Sequence, residues 1–314
     1  MALIAKIVIT DTNYNSLTST LAIMLLLTFI MKAALFPLFF WLPASYHTPS
    51  FSTSALFAGL LTKLGIYAII RMLTLVFIPQ QHLLTNLLMI VAICSMIFGI
   101  LGAIAQTELR RILSFTLISH LGFISIGIAL LSSVSFTASL FYMIQHVILK
   151  LNLFLTSGII LRITSENEIN SISGLYEKYP YLAISFFIAI LALVGFPPLA
   201  SFWAKLLILK ELVYLHHFII LLAVLLTSFL SLFLVIRIWN IIFLGKQIDR
   251  NYNNNYRKIK NKCALYLPLI ILNILMFSLS FMPNYYLQIT QKAVDELAQP
   301  EKYINLVLHQ YEKV

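Results

Sequence analysis

Met31-Lys32-Ala33-Ala34-Leu35-Phe36-Pro37-Leu38-Phe39-Phe40-Trp41-Leu42-Pro43 is followed by Ala44-Ser45-Tyr46-His47-Thr48-Pro49-Ser50, then by an apolar run from Phe51 to Ile70 with Lys63 at its middle. Lys32 lies inside one hydrophobic segment, Lys63 inside the next, and Pro37 interrupts the first. An ammonium at the centre of a bilayer costs about 3 kcal/mol on insertion scales, so such a residue usually faces a protein interior or a water-filled path. Proline frees backbone groups, and broken backbone at membrane depth is tolerated only where protein or water satisfies it. Two buried lysines beside a broken helix therefore predict ion handling inside a membrane.

Composition agrees with that setting. The 314 residues are 61% hydrophobic and 10% charged, with a mean hydropathy of +0.94, which soluble domains do not reach. The net charge of +10 gathers in short loops between apolar runs, as orientation signals do, and so argues against a nucleic-acid partner. Cys94 and Cys263 have neither metal-ligand spacing nor a disulfide framework around them. Met1 to Ser16 lacks the basic, apolar and small-residue order of a signal peptide.

Taken in order, the apolar runs predict an all-α polytopic protein of about eight transmembrane helices, at 17–43, 51–77, 82–105, 112–131, 136–161, 180–213, 216–243 and 264–282. Two are read as discontinuous: the first, at Pro37, and the sixth, at Gly195-Phe196-Pro197-Pro198. With eight crossings, eleven basic residues collect on one side and six on the other, leaving Lys32, Lys63, Lys150 and Lys205 within spans. The positive-inside rule then places the Arg237–Lys262 loop in the cytoplasm and both termini outside.

A lysine near a helix end commonly snorkels to the interface, as is expected of Lys210. Lys63 and Lys150 lie too deep for that. Lys32 and Lys205 sit within a few residues of a break, where a structural role competes with a functional one. Tyr142, His146 and Lys150 recur every four residues and so share one helix face, suited to a water chain that conducts protons. His120, in Ser119-His120-Leu121-Gly122, is a second candidate. All eleven acidic residues fall in loops or at span ends. A membrane lysine that changes protonation usually needs a carboxylate nearby, so any such partner is expected from elsewhere. Finally, Phe36-Pro37-Leu38-Phe39-Phe40-Trp41 resembles Phe196-Pro197-Pro198-Leu199-Ala200-Ser201-Phe202-Trp203. Broken helices in corresponding positions point to a transporter's ion site.

The Lys32-to-Pro43 stretch and Ser54-Ala55-Leu56-Phe57-Ala58-Gly59-Leu60-Leu61-Thr62-Lys63-Leu64-Gly65 together resemble the antiporter-like proton-channel family. That family holds the large membrane subunits of respiratory complex I and the A and D subunits of multisubunit Mrp-type sodium/proton antiporters. Glu108-Leu109-Arg110-Arg111 leading to Ser119-His120, Gln145-His146-Val147-Ile148-Leu149-Lys150, and Gly195-Phe196-Pro197-Pro198 leading to Phe202-Trp203-Ala204-Lys205 fit the same pattern, in order and spacing. Phe40 to Pro49 looks most like the D-type branch of the antiporters.

The resemblance implies roles. Lys32 would be the lysine of the first broken helix, paired in the family with a glutamate two helices earlier. Lys63 would be a central relay, His146 and Lys150 would extend the axis, and Lys205 would gate one exit. His120, Tyr142 and Arg110 are secondary candidates, and Pro37, Pro197 and Pro198 mark the breaks. Family members have about fourteen spans in two inverted five-helix repeats. Residues 1–16 would then be an N-terminal extramembrane segment, 17–77 the last two helices of the first repeat, and 82–243 the second repeat. A basic cytoplasmic loop and closing helix would fill 244–282, and an extramembrane tail 283–314.

The family's preceding helices, with the glutamate, have no counterpart in this sequence, which leaves three readings open: a separately encoded half, a product of a decaying gene, or an incomplete sequence. The implied function is proton translocation within a multisubunit Na⁺/H⁺ antiporter of the bacterial inner membrane, with an organellar inner membrane as the alternative. The competing functions are a non-redox pumping subunit of an NADH:quinone or hydrogenase-type complex, and a non-transporting remnant. Expected partners are the other antiporter subunits, lipid, H⁺ and Na⁺. No nucleotide, metal or haem motif is present, so no cofactor is expected.

Overall fold

In a bilayer each spanning segment must close its own backbone hydrogen bonds, which confines these apolar runs to helices. The computed structural model describes residues 15–46, 48–245 and 262–311, with residues 2, 4, 5 and 8 before them. It contains α1 (Asn15–Ala33), α2 (Trp41–Tyr46), α3 (Phe51–Val76), α4 (Gln81–Ala105), α5 (Leu109–Ala129), α6 (Ser133–Thr164), α7 (Leu175–Lys178) and α8 (Pro180–Val194). α9 (Ala200–Tyr214), α10 (Phe218–Leu244), α11 (Lys262–Phe281), α12 (Pro283–Leu297) and α13 (Pro300–Tyr311) follow. Among the described residues the only β pairing is an isolated bridge between Glu108 and Glu168.

Six of the described helices are long and apolar enough to cross a membrane: α1, α3, α4, α5, α6 and α10. A seventh is reached if α11 and α12, bent by 83° to each other, count as one. Eight spans are predicted from the sequence, and the difference has a physical reason. The sixth predicted span is two helices of 15 residues, α8 and α9, each short of the ~20 that cross a bilayer alone. α12 and α13 form the end of the chain, where an extramembrane tail is expected.

Both predicted breaks are present. α1 stops at Ala33 because Ala34 turns left-handed at φ 57, and α8 stops at Gly195 at φ 88. A left-handed residue closes a helix by letting the next amides reach back to its last carbonyls. Here Leu35 N donates to Ile30 O (3.0 Å), and Gly195 N and Phe196 N both donate to Leu191 O (3.1 Å). Phe36–Pro37 and Pro197–Pro198 are cis. The chain resumes as α2 after the first break and α9 after the second.

α5 is the hub. Inside its apolar window 94% of residues are buried, against 22% for α1 and 33% for α10, which lie at the edge. α5 packs backbone to backbone on α4, because a Cβ on Gly99 would fall 2.5 Å from Ser119 N and one on Gly122 2.6 Å from Ala92 O. Small residues permit such close approach in membranes.

Contacts at the helix ends show the alternation of the chain. At one end Arg110 Nη1 donates to Pro49 O (3.1 Å) with its guanidinium 4.0 Å over the Phe51 ring, Ile169 N donates to Thr107 O (2.9 Å), and Arg237 Nη1 to Ile104 O (2.6 Å). At the other end Gln80 Nε2 donates to Thr18 Oγ1 (3.1 Å), Gln291 Nε2 to Ser133 Oγ (2.7 Å), and Arg71 lies 4.6 Å over the Tyr303 ring. The loop at 246–261, on which the predicted orientation leans most, lies outside the described residues.

Candidate proton path

α6 carries the centre of the site. Its 3.6-residue period stacks Tyr142, His146 and Lys150 on one face, and all three are buried. α5 answers with Thr116, His120 and Phe123 at matching helical spacing. Lys150 Nζ donates to Thr116 Oγ1 (2.8 Å) and to Leu113 O (3.3 Å). Thr116 spends its own proton on Leu113 O (2.9 Å), so its oxygen faces the ammonium as an acceptor. His120 Nδ1 and Tyr142 Oη are hydrogen-bonded, and the His120 and His146 rings lie 5.4 Å apart.

Lys63 and Lys205 flank this cluster, 6% and 9% exposed. Around Lys63 the helix widens into a π turn at Phe57–Leu61, a feature frequent at functional sites. Lys63 Nζ donates to Ala58 O inside that turn, at 2.5 Å. Lys205 reaches back across the second break to Val194 O (2.7 Å), on the last residue of α8. A helix C-terminus carries partial negative charge and favours a cation there. Between His120 and Lys205 lies a cavity of about 20 Å³, lined also by Ser119, Thr227, Ser228 and Ser231, a size that holds one water.

The two histidines and Lys150 lie close enough to the other buried bases to feel their charge. His146 lies in the field of Lys63, Lys150, His120 and Lys205, His120 in that of all three lysines, and Lys150 in that of Lys63. Among the described residues no carboxylate contributes to the field at Lys63, Lys150 or Lys205. Both ring nitrogens of His146, with Gln145 Oε1, Thr62 Oγ1 and Ser139 Oγ, are buried without a protein partner.

Two predicted residues stand apart. Lys32, in the last turn of α1, is exposed on the outer face of the bundle, in line with exposed Leu21, Leu25 and Thr28. Arg110 clamps the start of α3 through Pro49 and Phe51 at one end of the bundle. Sequence reading overlooks Thr116, Thr62 and Gln145. Gln145 and Thr62 could have been found as polar neighbours of His146 and Lys63 within apolar runs, whereas Thr116 gives no such signal.

Two broken helices around a core of buried lysines define an integral membrane protein built like a transporter. The chain belongs to the NADH:quinone oxidoreductase/Mrp antiporter transmembrane family, whose sequence profile matches residues 2–231. In bacteria that places it in the cell membrane. It is 35% identical over 298 residues to the D subunit of the Na(+)/H(+) antiporter of Alkalihalophilus pseudofirmus, covering 95% of this chain and 60% of the relative. To the corresponding D subunit of the Na(+)/H(+) antiporter of Bacillus subtilis it is 33% identical over 300 residues, covering 96% and 60%. The chain thus spans about three fifths of these relatives' length. The fold matches a chain of the Mrp complex from Dietzia sp. DQ12-45-1b with a TM-score of 0.84 at 26% identity, covering 97% of this chain and 64% of that one. It also matches a chain of a membrane-bound sulfane sulfur reductase, an archaeal respiratory membrane complex, with a TM-score of 0.86 at 23% identity, covering 96% and 61%.

Proposed function

We propose that this chain is the proton-translocating part of a multisubunit monovalent cation (Na⁺)/H⁺ antiporter, a secondary transporter rather than an enzyme. The observation that carries the reading is the line of buried titratable side chains that the fold brings together: Lys63, His146 with Lys150, His120 with Tyr142, and Lys205. No carboxylate of the described residues lies among them. Like charges repel in a low dielectric, so a proton arriving on Lys63 drives another away from Lys150 toward His120 and Lys205. His146, with no protein partner on either nitrogen, can accept on one and donate from the other through bound water. The hydroxyl-lined cavity offers the last water before Lys205.

Lys32 completes the proposal. Exposed in the last turn of α1, it calls for a partner helix bearing a carboxylate, supplied by the segment that the longer relatives have in addition or by another subunit. Among the family's functions, the antiporter is favoured by the relatives at 33% and 35% identity, both antiporter subunits.

The test uses everted membrane vesicles carrying the assembled complex. Addition of Na⁺ without any electron donor is expected to release protons from the vesicle lumen, seen as dequenching of a pH-sensitive dye. Proton movement that requires NADH or another reductant would reassign the chain to a pumping respiratory complex. No movement under either condition, in a complex that assembles, would mark a non-transporting remnant.

A further inference from the structure

Each helix break leaves a backbone amide that the broken helix itself does not satisfy, and at each break that amide is met by a serine from a different helix. At the first break the left-handed Ala34 lets Ala34 N and Leu35 N return to Met31 O and Ile30 O, and the next amide, Phe36 N, donates to Ser95 Oγ on α4 at 2.8 Å. At the second, Leu199 offers no side-chain cap to α9, and the first amide of that helix, Ala200 N, donates to Ser280 Oγ on α11 at 3.0 Å. Both serines use their own proton in the same way. Ser95 donates to Val91 O and Ser280 to Met276 O, each at 2.7 Å and each four residues back along its own helix.

That shared arrangement has a consequence. A hydroxyl whose proton is committed to its own helix presents a fixed lone pair, so it acts as an acceptor with no freedom to turn away. Ser95 is fully buried and Ser280 is 4% exposed, so water does not easily replace either.

We infer that Ser95 and Ser280 are positioning residues that pin the two broken helices and thereby fix where Lys32 and Lys205 stand. Lys32 lies four residues before the pinned Phe36, and Lys205 five after the pinned Ala200. The bond from Lys205 Nζ to Val194 O bridges the break, so its geometry depends on how rigidly α9 is held to α8. Ser201 adds a direct clasp from α9 to Ala192 O. α11 holds both halves from outside, α9 through Ser280 and α8 through Asn273 Nδ2, which donates to Ser185 Oγ at 2.9 Å. The functional half of this inference rests on the proton-relay reading; the structural half does not.

The experiment compares Ser95→Ala and Ser280→Ala, with Ser280→Thr as the conservative variant, in the assembled complex reconstituted in nanodiscs. Hydrogen–deuterium exchange read by mass spectrometry is expected to rise about tenfold or more at the Phe36 amide in Ser95→Ala and at the Ala200 amide in Ser280→Ala, each without change at the other break. Ser280→Thr keeps the hydroxyl and is expected to restore protection. Na⁺-driven proton movement is expected to fall about tenfold in Ser280→Ala at unchanged assembly, with a shifted pH profile that Ser280→Thr returns. Unchanged protection at both amides would overturn the pins. Altered protection with unaltered transport and pH profile would overturn their part in positioning the lysines. Absence of Na⁺-driven movement in the unsubstituted complex would count against the antiporter reading alone, since the amide exchange still decides the pins.

Discussion

At the scale of single residues, Lys150 is the sharpest test, because it is fully buried with only neutral oxygens bonded to its ammonium. Lys150→Met keeps length and apolar volume. If Lys150 only packed, the change would be neutral or stabilising, since a costly buried polar group is removed. As a relay it is expected to cost about 100-fold in exchange at normal assembly, the scale of losing a positioned proton carrier. Lys150→Arg is expected to fail too, because a guanidinium holds its proton. Exchange and assembly measured together in both variants decide the matter, and full activity in assembled Lys150→Met would take Lys150 off the path. Thr116→Val removes the hydroxyl that receives the ammonium and is expected to reduce exchange about tenfold, as loss of one hydrogen bond to a charged group does. The α6 face is readable in the sequence because helical spacing alone aligns Tyr142, His146 and Lys150. Thr116 is hidden because a threonine in an apolar helix ordinarily bonds its own backbone, and its second role needs α6 beside it. Arg110, adjacent to the same motif, turns to Pro49 and Phe51 instead, a contact to the start of a helix 61 residues away that no local pattern announces.

At the scale of elements, both breaks are legible from proline and the second also from Gly195, but Ala34, which makes the first, is not. Pro37 disfavours helix in the residue before it, yet α1 already ends at Ala33, where Ala34 accepts a left-handed conformation that costs an alanine about 1–2 kcal/mol. Ala34→Gly is therefore expected to leave exchange intact and raise the melting temperature of the complex slightly. Gly195→Ala is the opposite case. Its backbone is left-handed at φ 88, and a Cβ would stand 3.0 Å from Lys205 Cδ. The change is expected to destabilise by about 1 kcal/mol or more and to disturb the Lys205–Val194 bond, lowering exchange beyond what the loss of stability explains. A thermal melt paired with an exchange assay separates the two effects, and unchanged values in both would show that the break tolerates a side chain. The π turn at Phe57–Leu61, by contrast, has no sequence signature: an extra residue per turn is settled by what α3 packs against.

At the scale of the molecule, alternation of the chain is legible because each apolar run is near one bilayer thickness. The count is less so, since a 15-residue half-helix and a helix bent by 83° are invisible to hydropathy. End-to-end contacts place α7 with the Arg110 end and the α9–α10 turn opposite. The excess of basic residues predicts that the first end faces the cytoplasm. In whole cells, with Cys94 and Cys263 replaced, Tyr176→Cys is expected to resist an impermeant thiol reagent and His217→Cys to react with it, and the reverse pattern would invert the topology.

The surface of α1 sets up a final test at the same scale. Only 22% of its apolar window is buried, and Lys32 lies on the bare side with no ion pair to a carboxylate among the described residues. An unpaired lysine on a lipid-facing side of a helix is costly unless it reaches the interface or a partner, so α1 is expected to be covered in the working assembly by helices that bring an acid to Lys32. Expressed alone in a strain lacking its own sodium/proton antiporters, the chain is then expected not to restore growth at high sodium. Co-expression with the remaining two fifths of a full-length relative, its partner antiporter subunits present, is expected to restore it. If Lys32 serves the proton path and apolar contact along Leu21 and Leu25 holds the pieces together, Lys32→Ala abolishes that rescue while leaving the two pieces co-purifying. Growth restored by the chain alone, or rescue that survives Lys32→Ala, would show that the exposed lysine needs no partner.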